Sequence, residues 1–415
     1  MSDITRTSPT SLDPLMHGAL RLPGNTPLYP SHGQGTGMTY IRGDKAEFDA
    51  WEALGNEGWN WNSLYPYFKK VERFTHPTAA QVAAGASYDA KVHGDSGPLR
   101  TGFPFQLING TLYETIRTSW RNLCFPINPD VNSGDVRGFT VWPQTVDRDA
   151  NVREDAARAF LHPVEDRPNL SIFQGTVKKI IWSASVSTCG NSIADGLEYL
   201  TTEGETATVS ASKEVILSAG ALRTPLILEQ SGIGNPRESE SETLTLASGA
   251  QLGSAFWLLL PFSRGSVHIK PSRAIAEPDI DPKFFLIDFD LDLELRAGRL
   301  GQKFWDTEPA KALIAPGKPA LAYNASDAEW AAYIQRTLVP TNHPIGTASM
   351  MSRELGGVVD PKLKVYGTTN VRVVDASVLP LQISGHLTAT LYAIAERASD
   401  FIKRTWEELD PEQKS

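Results

Sequence analysis

The stretch from Asn370 to Phe401 constrains this chain most. Asn370-Val371-Arg372-Val373-Val374-Asp375 has the apolar run of a buried strand, and beyond it Leu387, Leu391, Ile394, Ala398 and Phe401 recur along one face of a long helix. The same order of elements occurs upstream. Glu214-Val215-Ile216-Leu217-Ser218 is a short apolar run consistent with a second buried strand. It passes through Ala219-Gly220 into a helix that Thr224 is placed to cap, with Pro225 at its first position and a stop near Ser231-Gly232. Strands that twice feed helices predict an α/β core.

Other segments fill out a mixed pattern. Residues 1–40 are rich in Pro, Gly, Ser and Thr and read as an irregular arm. Asp44-Lys45-Ala46-Glu47 has the form of a capping box that opens a short helix through Trp51. Leu64, Phe68 and Val71 then mark an amphipathic helix that ends near Glu72. Residues Arg153 to Leu161 read as helix, and Leu170 to Trp182 as strand, turn at Gly175, strand. The Ser/Glu/Thr-rich stretch from Asn235 to Gln251 reads as a surface loop. Strand-like pieces fill Trp257 to Ile287, and Asp290 to Gln335 is mostly helical in character. The resulting division is 41–165 as mixed helical and substrate-side segments, 166–234 with 340–415 as one discontinuous α/β domain, and 255–339 as an α+β second domain.

With 415 residues and a formal net charge of -9, the chain can bury a substantial core and lacks the basic density of a nucleic-acid binder. No apolar run approaches membrane-spanning length, and no secretory signal is visible at the start, so a soluble cytoplasmic protein is expected. Cys124 and Cys189 are too few for a disulfide framework and read as two buried thiols, with a single bridge between them left open. The sequons at Asn109 and Asn324 carry little weight without a secretory signal. Trp51, Trp59 and Trp61 read as core, and Glu229, Asp279 and Asp281 lack metal-ligand spacing, so no metal is expected.

Two histidines stand in segments built to present them. His343 lies in Asn342-His343-Pro344-Ile345-Gly346-Thr347, and His386 directly follows Ser384-Gly385. Residues 342–351 (NHPIGTASMM) and 356–398 (GGVVDPKLKVYGTTNVRVVDASVLPLQISGHLTATLYAIAERA) closely resemble the C-terminal signature of the glucose-methanol-choline (GMC) oxidoreductases. Gly220 to Pro225 with Ser231 to Gly234 resembles that family's second signature, and Gly37-Met38-Thr39-Tyr40-Ile41-Arg42-Gly43 the end of its first. Glucose-oxidase-like members are the nearest in pattern, over most of residues 37–234 and 255–403.

The resemblance implies an FAD-dependent oxidation of an alcohol or sugar, within fungal specialised metabolism, on a small-molecule substrate. It implies that His343 and His386 converge, with His343 as base and His386 orienting the alkoxide; an imidazole suits proton transfer because its pKa lies near working pH. It also implies cofactor contacts at Thr36, Gly37, Met38, Thr39, Val177, Asp375 and Ala376. Leu387 and Thr388 would offer helix N-terminal amides to negative charge on the reduced flavin.

The chain departs from the family pattern in two places. The family's opening Gly-x-Gly-x-x-Gly turn for the FAD pyrophosphate has no counterpart, and Thr36 stands where the family has Asn. Gly234 is followed only by the Ser/Glu-rich connection where the family carries a longer cofactor segment. The expectation is an incomplete GMC-type FAD-binding domain joined to a substrate-binding domain. A non-redox cyclase or dehydratase on the same scaffold, or an inactive shortened relative, stays open.

Overall fold

A computed structural model describes residues 38–107, 110–234, 256, 258–269, 278–313, 321–338, 340 and 342–409. Thr36, Gly37 and the stretch read as a loop from Asn235 to Gln251 lie outside the described residues.

The first helix, α1 (Lys45–Ala53), opens on the expected box: Asp44 accepts from the Ala46 amide, and Glu47 accepts from the Asp44 amide at 2.9 Å. In α2 (Trp61–Val71), Asn60 caps by accepting from Ser63 N at 2.9 Å, and Trp61, Leu64, Phe68 and Val71 are buried at helical spacing. The Trp61 and Phe68 rings meet Phe48 of α1 in tilted and edge contacts, and Phe48 in turn meets Trp51 edge-on. Trp51, Trp59 and Trp61 are all buried, as core residues should be.

Strand β1 (Glu72–Thr75) runs parallel to β2 (Leu99–Gly102), with the short α3 (Ala79–Ala83) between them. After α4 (Gly110–Asn122), β3 (Gln144–Asp147) and β4 (Val152–Arg153) complete a four-stranded sheet. The helix expected over Arg153 to Leu161 is reduced to a single π turn at Ala157–Leu161, because Arg153 is taken by the ladder to Val146. Under this sheet, Arg42, Glu72, His93 and Asp130 form a buried ionic chain. Its contacts are 2.8 Å from Arg42 to Glu72, then 3.0 Å from each ring nitrogen of His93 to Glu72 and Asp130.

Strands β5 (Gly175–Val186), β6 (Ser192–Thr201) and β7 (Thr206–Ser210) form an antiparallel meander. This corrects the expected turn at Gly175, which instead begins β5. A Cβ there would come within 2.6 Å of the Tyr199 ring and 2.7 Å of the Leu200 carbonyl, so the glycine serves close strand approach rather than reversal.

Next come β8 (Val215–Leu217) and α5 (Thr224–Gln230), then the small β9 (Ser266–His268) and β10 (Asp279–Asp281) pair. Helices α6 (Asp288–Trp305) and α7 (Asp327–Thr337) pack around Leu295, Trp330 and Ile334. Finally β11 (Val371–Val373) leads to α8 (Leu387–Leu409). The two apolar runs do pair, in parallel, with Val215 opposite Val371 and Leu217 opposite Val373. Ile216, however, is 44 % exposed, so β8 is not buried on both faces. Asn370 ties this pair to the meander by donating to the carbonyls of Ala194 and Lys213.

One core joins α1 and α2 to β8, β11 and the inner face of α8, where Leu387, Ile394 and Ala398 are buried. The cysteines depart from expectation: Cys124 and Cys189 are both exposed. Each sits in a turn, Cys124 at φ +64 after α4 and Cys189 between β5 and β6.

Candidate active site

His343 is carried by a loop that hydrogen bonds pin on its far side. Gly346 N donates to Ala376 O at 3.2 Å, Ala348 N to Ser377 O at 2.8 Å and Met350 N to Val378 O at 2.9 Å. Thr347 Oγ1 adds a bond to the Ala221 carbonyl at 2.6 Å, fixing this loop to the turn before α5.

That turn is fixed in its own right by Asp375. Its Oδ2 accepts from Gly220 N at 2.9 Å and Thr224 Oγ1 at 2.6 Å, while Oδ1 accepts from Ser377 N at 2.9 Å and from the Ser377 hydroxyl. Thr224 therefore does not cap α5: Arg223 holds the N-cap position without a side-chain capping bond, and the Thr224 hydroxyl is spent on Asp375. A carboxylate reaching back across the β8 and β11 pair competes successfully for the threonine.

His386 ends a turn just before α8. Gly385 is pressed on the backbone of residues 41–43, where an added Cβ would lie 2.7 Å from both Ile41 O and Gly43 N. Ser384 N donates to Glu47 Oε2 at 2.8 Å. The two imidazoles come together as expected, with ring centroids 5.5 Å apart and planes at 85°.

Both rings are half-buried. Burial pulls the His343 pKa down, and burial with the neighbouring His343 pulls His386 down to about 4. The pair is therefore neutral at neutral pH and able to accept a proton. His386 also faces the positive end of the α8 dipole, which disfavours an imidazolium there.

The other expected site residues fall into two neighbourhoods. Met38 and Thr39 lead directly into the 41–43 segment beneath Gly385; Met38 O accepts from Thr145 N at 2.7 Å and Thr39 bridges to Gln144. Leu387 and Thr388 open α8 directly after His386, and Asp375 and Ala376 lie on the segment that holds the His343 loop, although the Asp375 carboxylate is consumed internally. Val177 is elsewhere, in β5, which docks on the end of α5 where Ile180 N donates to Ser231 Oγ at 2.8 Å. Two buried polar atoms just before His386, Gln382 Oε1 and Ser384 Oγ, have no hydrogen-bond partner among the described residues. They belong to the turn that presents His386, so this end of the site fits a polar cofactor ring.

The sequence reading missed Glu47 and Thr347. Glu47 was legible as a helix cap, but no local pattern ties it to Ser384. Among the described residues no group of His, Cys, Asp and Glu could hold a metal, and Glu229 instead bonds His268 at 2.7 Å and Ile269 N at 2.8 Å. No helix among the described residues is long and apolar enough to cross a membrane.

Two models described as GMC oxidoreductase match residues 36–257 and 261–395. The glucose oxidase-like protein fsoC of Humicola fuscoatra is 43% identical, over 88% of this chain and 80% of the relative. Its alignment spans 469 positions against the 415 residues of this chain, so the relative carries segments within the match that this chain lacks. A glucose oxidase of Aspergillus carbonarius is 30% identical, over 88% of this chain and 77% of its own length. Among solved structures, an FAD-dependent oxidoreductase from Chaetomium thermophilum superposes with a TM-score of 0.79 at 26% identity, covering 89% of this chain and 85% of that one. With both models matching most of the sequence, the chain belongs to the GMC oxidoreductase family of FAD-dependent enzymes.

Proposed function

We propose that this chain oxidises the CH–OH group of a small-molecule alcohol or sugar in fungal specialised metabolism, with His343 as the base and His386 as the orienting partner. The observation that carries the reading is the neutral imidazole pair, 5.5 Å apart, at the start of α8. The relatives named as glucose oxidases, and a structural neighbour titled a fungal aryl-alcohol oxidase, support the substrate class.

Bound FAD supplies the hydride acceptor. Met38, Thr39, Asp375, Ala376, Leu387 and Thr388 are the described residues proposed to hold its reactive end, through backbone groups and the amides of the first turn of α8. Val177 is assigned to the adenine end, and Thr36 and Gly37 complete the proposed contact set outside the described residues. His343 takes the hydroxyl proton. It is the better acceptor of the two because the α8 dipole opposes a charge on His386. His386 then holds the substrate oxygen, and the first-turn amides of α8 stabilise negative charge that accumulates beside them.

The test is the visible absorption of the purified protein with added FAD, followed by anaerobic mixing with candidate alcohols. Flavin bands that bleach with substrate, and fail to bleach in His343→Ala, are expected. No flavin bands after FAD addition would sink the redox reading, and normal bleaching in His343→Ala would remove His343 from it.

A further inference from the structure

We infer that Glu47 of α1 is a positioning residue for His386, acting through the amide of Ser384; this rests on the reading of the histidine pair given above. A single oxygen, Glu47 Oε2, accepts from Asp44 N at 2.9 Å and from Ser384 N at 2.8 Å. The cap of the first helix and the turn that presents His386 are thus closed by the same atom, although Glu47 and Ser384 are 337 positions apart.

The turn needs such a bond. On one side Gly385 lies against Ile41 O and Gly43 N, too close for any side chain, and a Cβ on Gly43, at φ +97, would lie 3.2 Å from Glu47 Oε2 and 3.3 Å from Ile383. Packing of this kind sets how deeply the turn sits and leaves its rotation about the chain free. The directional bond from Ser384 N to a carboxylate fixes that rotation two residues before the ring of His386. Burial raises the Glu47 pKa, consistent with a group held against the core rather than free in solvent.

The experiment is an NMR titration of histidine side chains in the full chain with FAD added, the His386 signal being assigned by its loss in His386→Gln. Glu47→Ala is expected to move the His386 titration upward by about one pH unit as the turn loosens and water enters. The same variant should slow anaerobic flavin reduction roughly tenfold, with KM little changed. Glu47→Gln, whose amide oxygen can accept the same two N–H groups, should restore both readouts. Asp44→Ala removes the other half of the helix cap and should leave the His386 titration in place.

An unmoved His386 titration in Glu47→Ala overturns the assignment, as does an equal shift in Asp44→Ala or a failure of Glu47→Gln to rescue. If Glu47→Ala does not fold, Glu47→Asp, too short to reach Ser384, replaces it with the same outcomes. The two readings fail separately. A titration that responds to Glu47 in a protein whose flavin reduction ignores His343 defeats the oxidation mechanism alone; an unresponsive titration with His343-dependent reduction defeats the role of Glu47 alone.

Discussion

Thr224 Oγ1 donates to Asp375 Oδ2 at 2.6 Å, joining the start of α5 to the end of β11. Asp375→Ala should strand four donors, those of Gly220, Thr224 and both groups of Ser377, and cost about 3 kcal/mol or more. Thr224→Val removes one donor and should cost about 1 kcal/mol. Urea unfolding midpoints at constant m-value check both, and near-equal effects would contradict the hub.

His93 should make stability fall on the alkaline side. Burial alone would lower its pKa, but hydrogen bonds and charges from Asp130 and Glu72 outweigh that and raise it. A raised histidine contributes fully below its unfolded pKa of about 6.5, and the contribution is lost as pH rises through the folded value. For Glu72 and Asp130 burial again opposes, but Arg42 and His93 lower Glu72, and His93 lowers Asp130. Their contribution is lost at the acid end, as pH falls through those lowered values. Stability measured by urea at a series of pH values should decline above about 6.5, and His93→Gln should flatten that decline.

Glu294 predicts a gain. Burial, opposed by a bond from Leu258 N and aided by Asp290, raises its pKa to about 7. A carboxyl that binds its proton more tightly when folded loses stability as pH rises from its unfolded value of about 4.3 through 7. Glu294→Gln, still able to accept from Leu258 N, should stabilise the protein at pH about 8 by about 1 to 3 kcal/mol and do little at pH about 4. Thermal melts at the two pH values decide it.

With the roles proposed for them, the two histidines should set the acid limit of catalysis. Because burial lowers both rings, with His386 down to about 4, the proton-accepting form persists below the ordinary histidine range. Stopped-flow reduction of the flavin should therefore hold its rate as pH drops through about 6.5 and fall only below it. A rate that already halves at about 6.5 would mean a solvated base.

What the sequence determined on its own is whatever is written in a few neighbouring residues. The strands at Val215–Leu217 and Val371–Val373, the Asp44 and Glu47 box, the inward face of α8 and the buried tryptophans follow from periodicity and capping chemistry, which act within a turn or two. The two histidines stood out through their surroundings as well. Where local rules competed with a distant partner they failed: Thr224 went to Asp375 and Gly175 to strand packing. Only the tertiary structure decided the 5.5 Å separation of the rings, the burial that keeps them neutral, the Arg42, Glu72, His93 and Asp130 chain, and the bond from Ser384 to Glu47. Each joins residues far apart in the chain, and a hydrogen bond between distant segments leaves no periodic trace in either one.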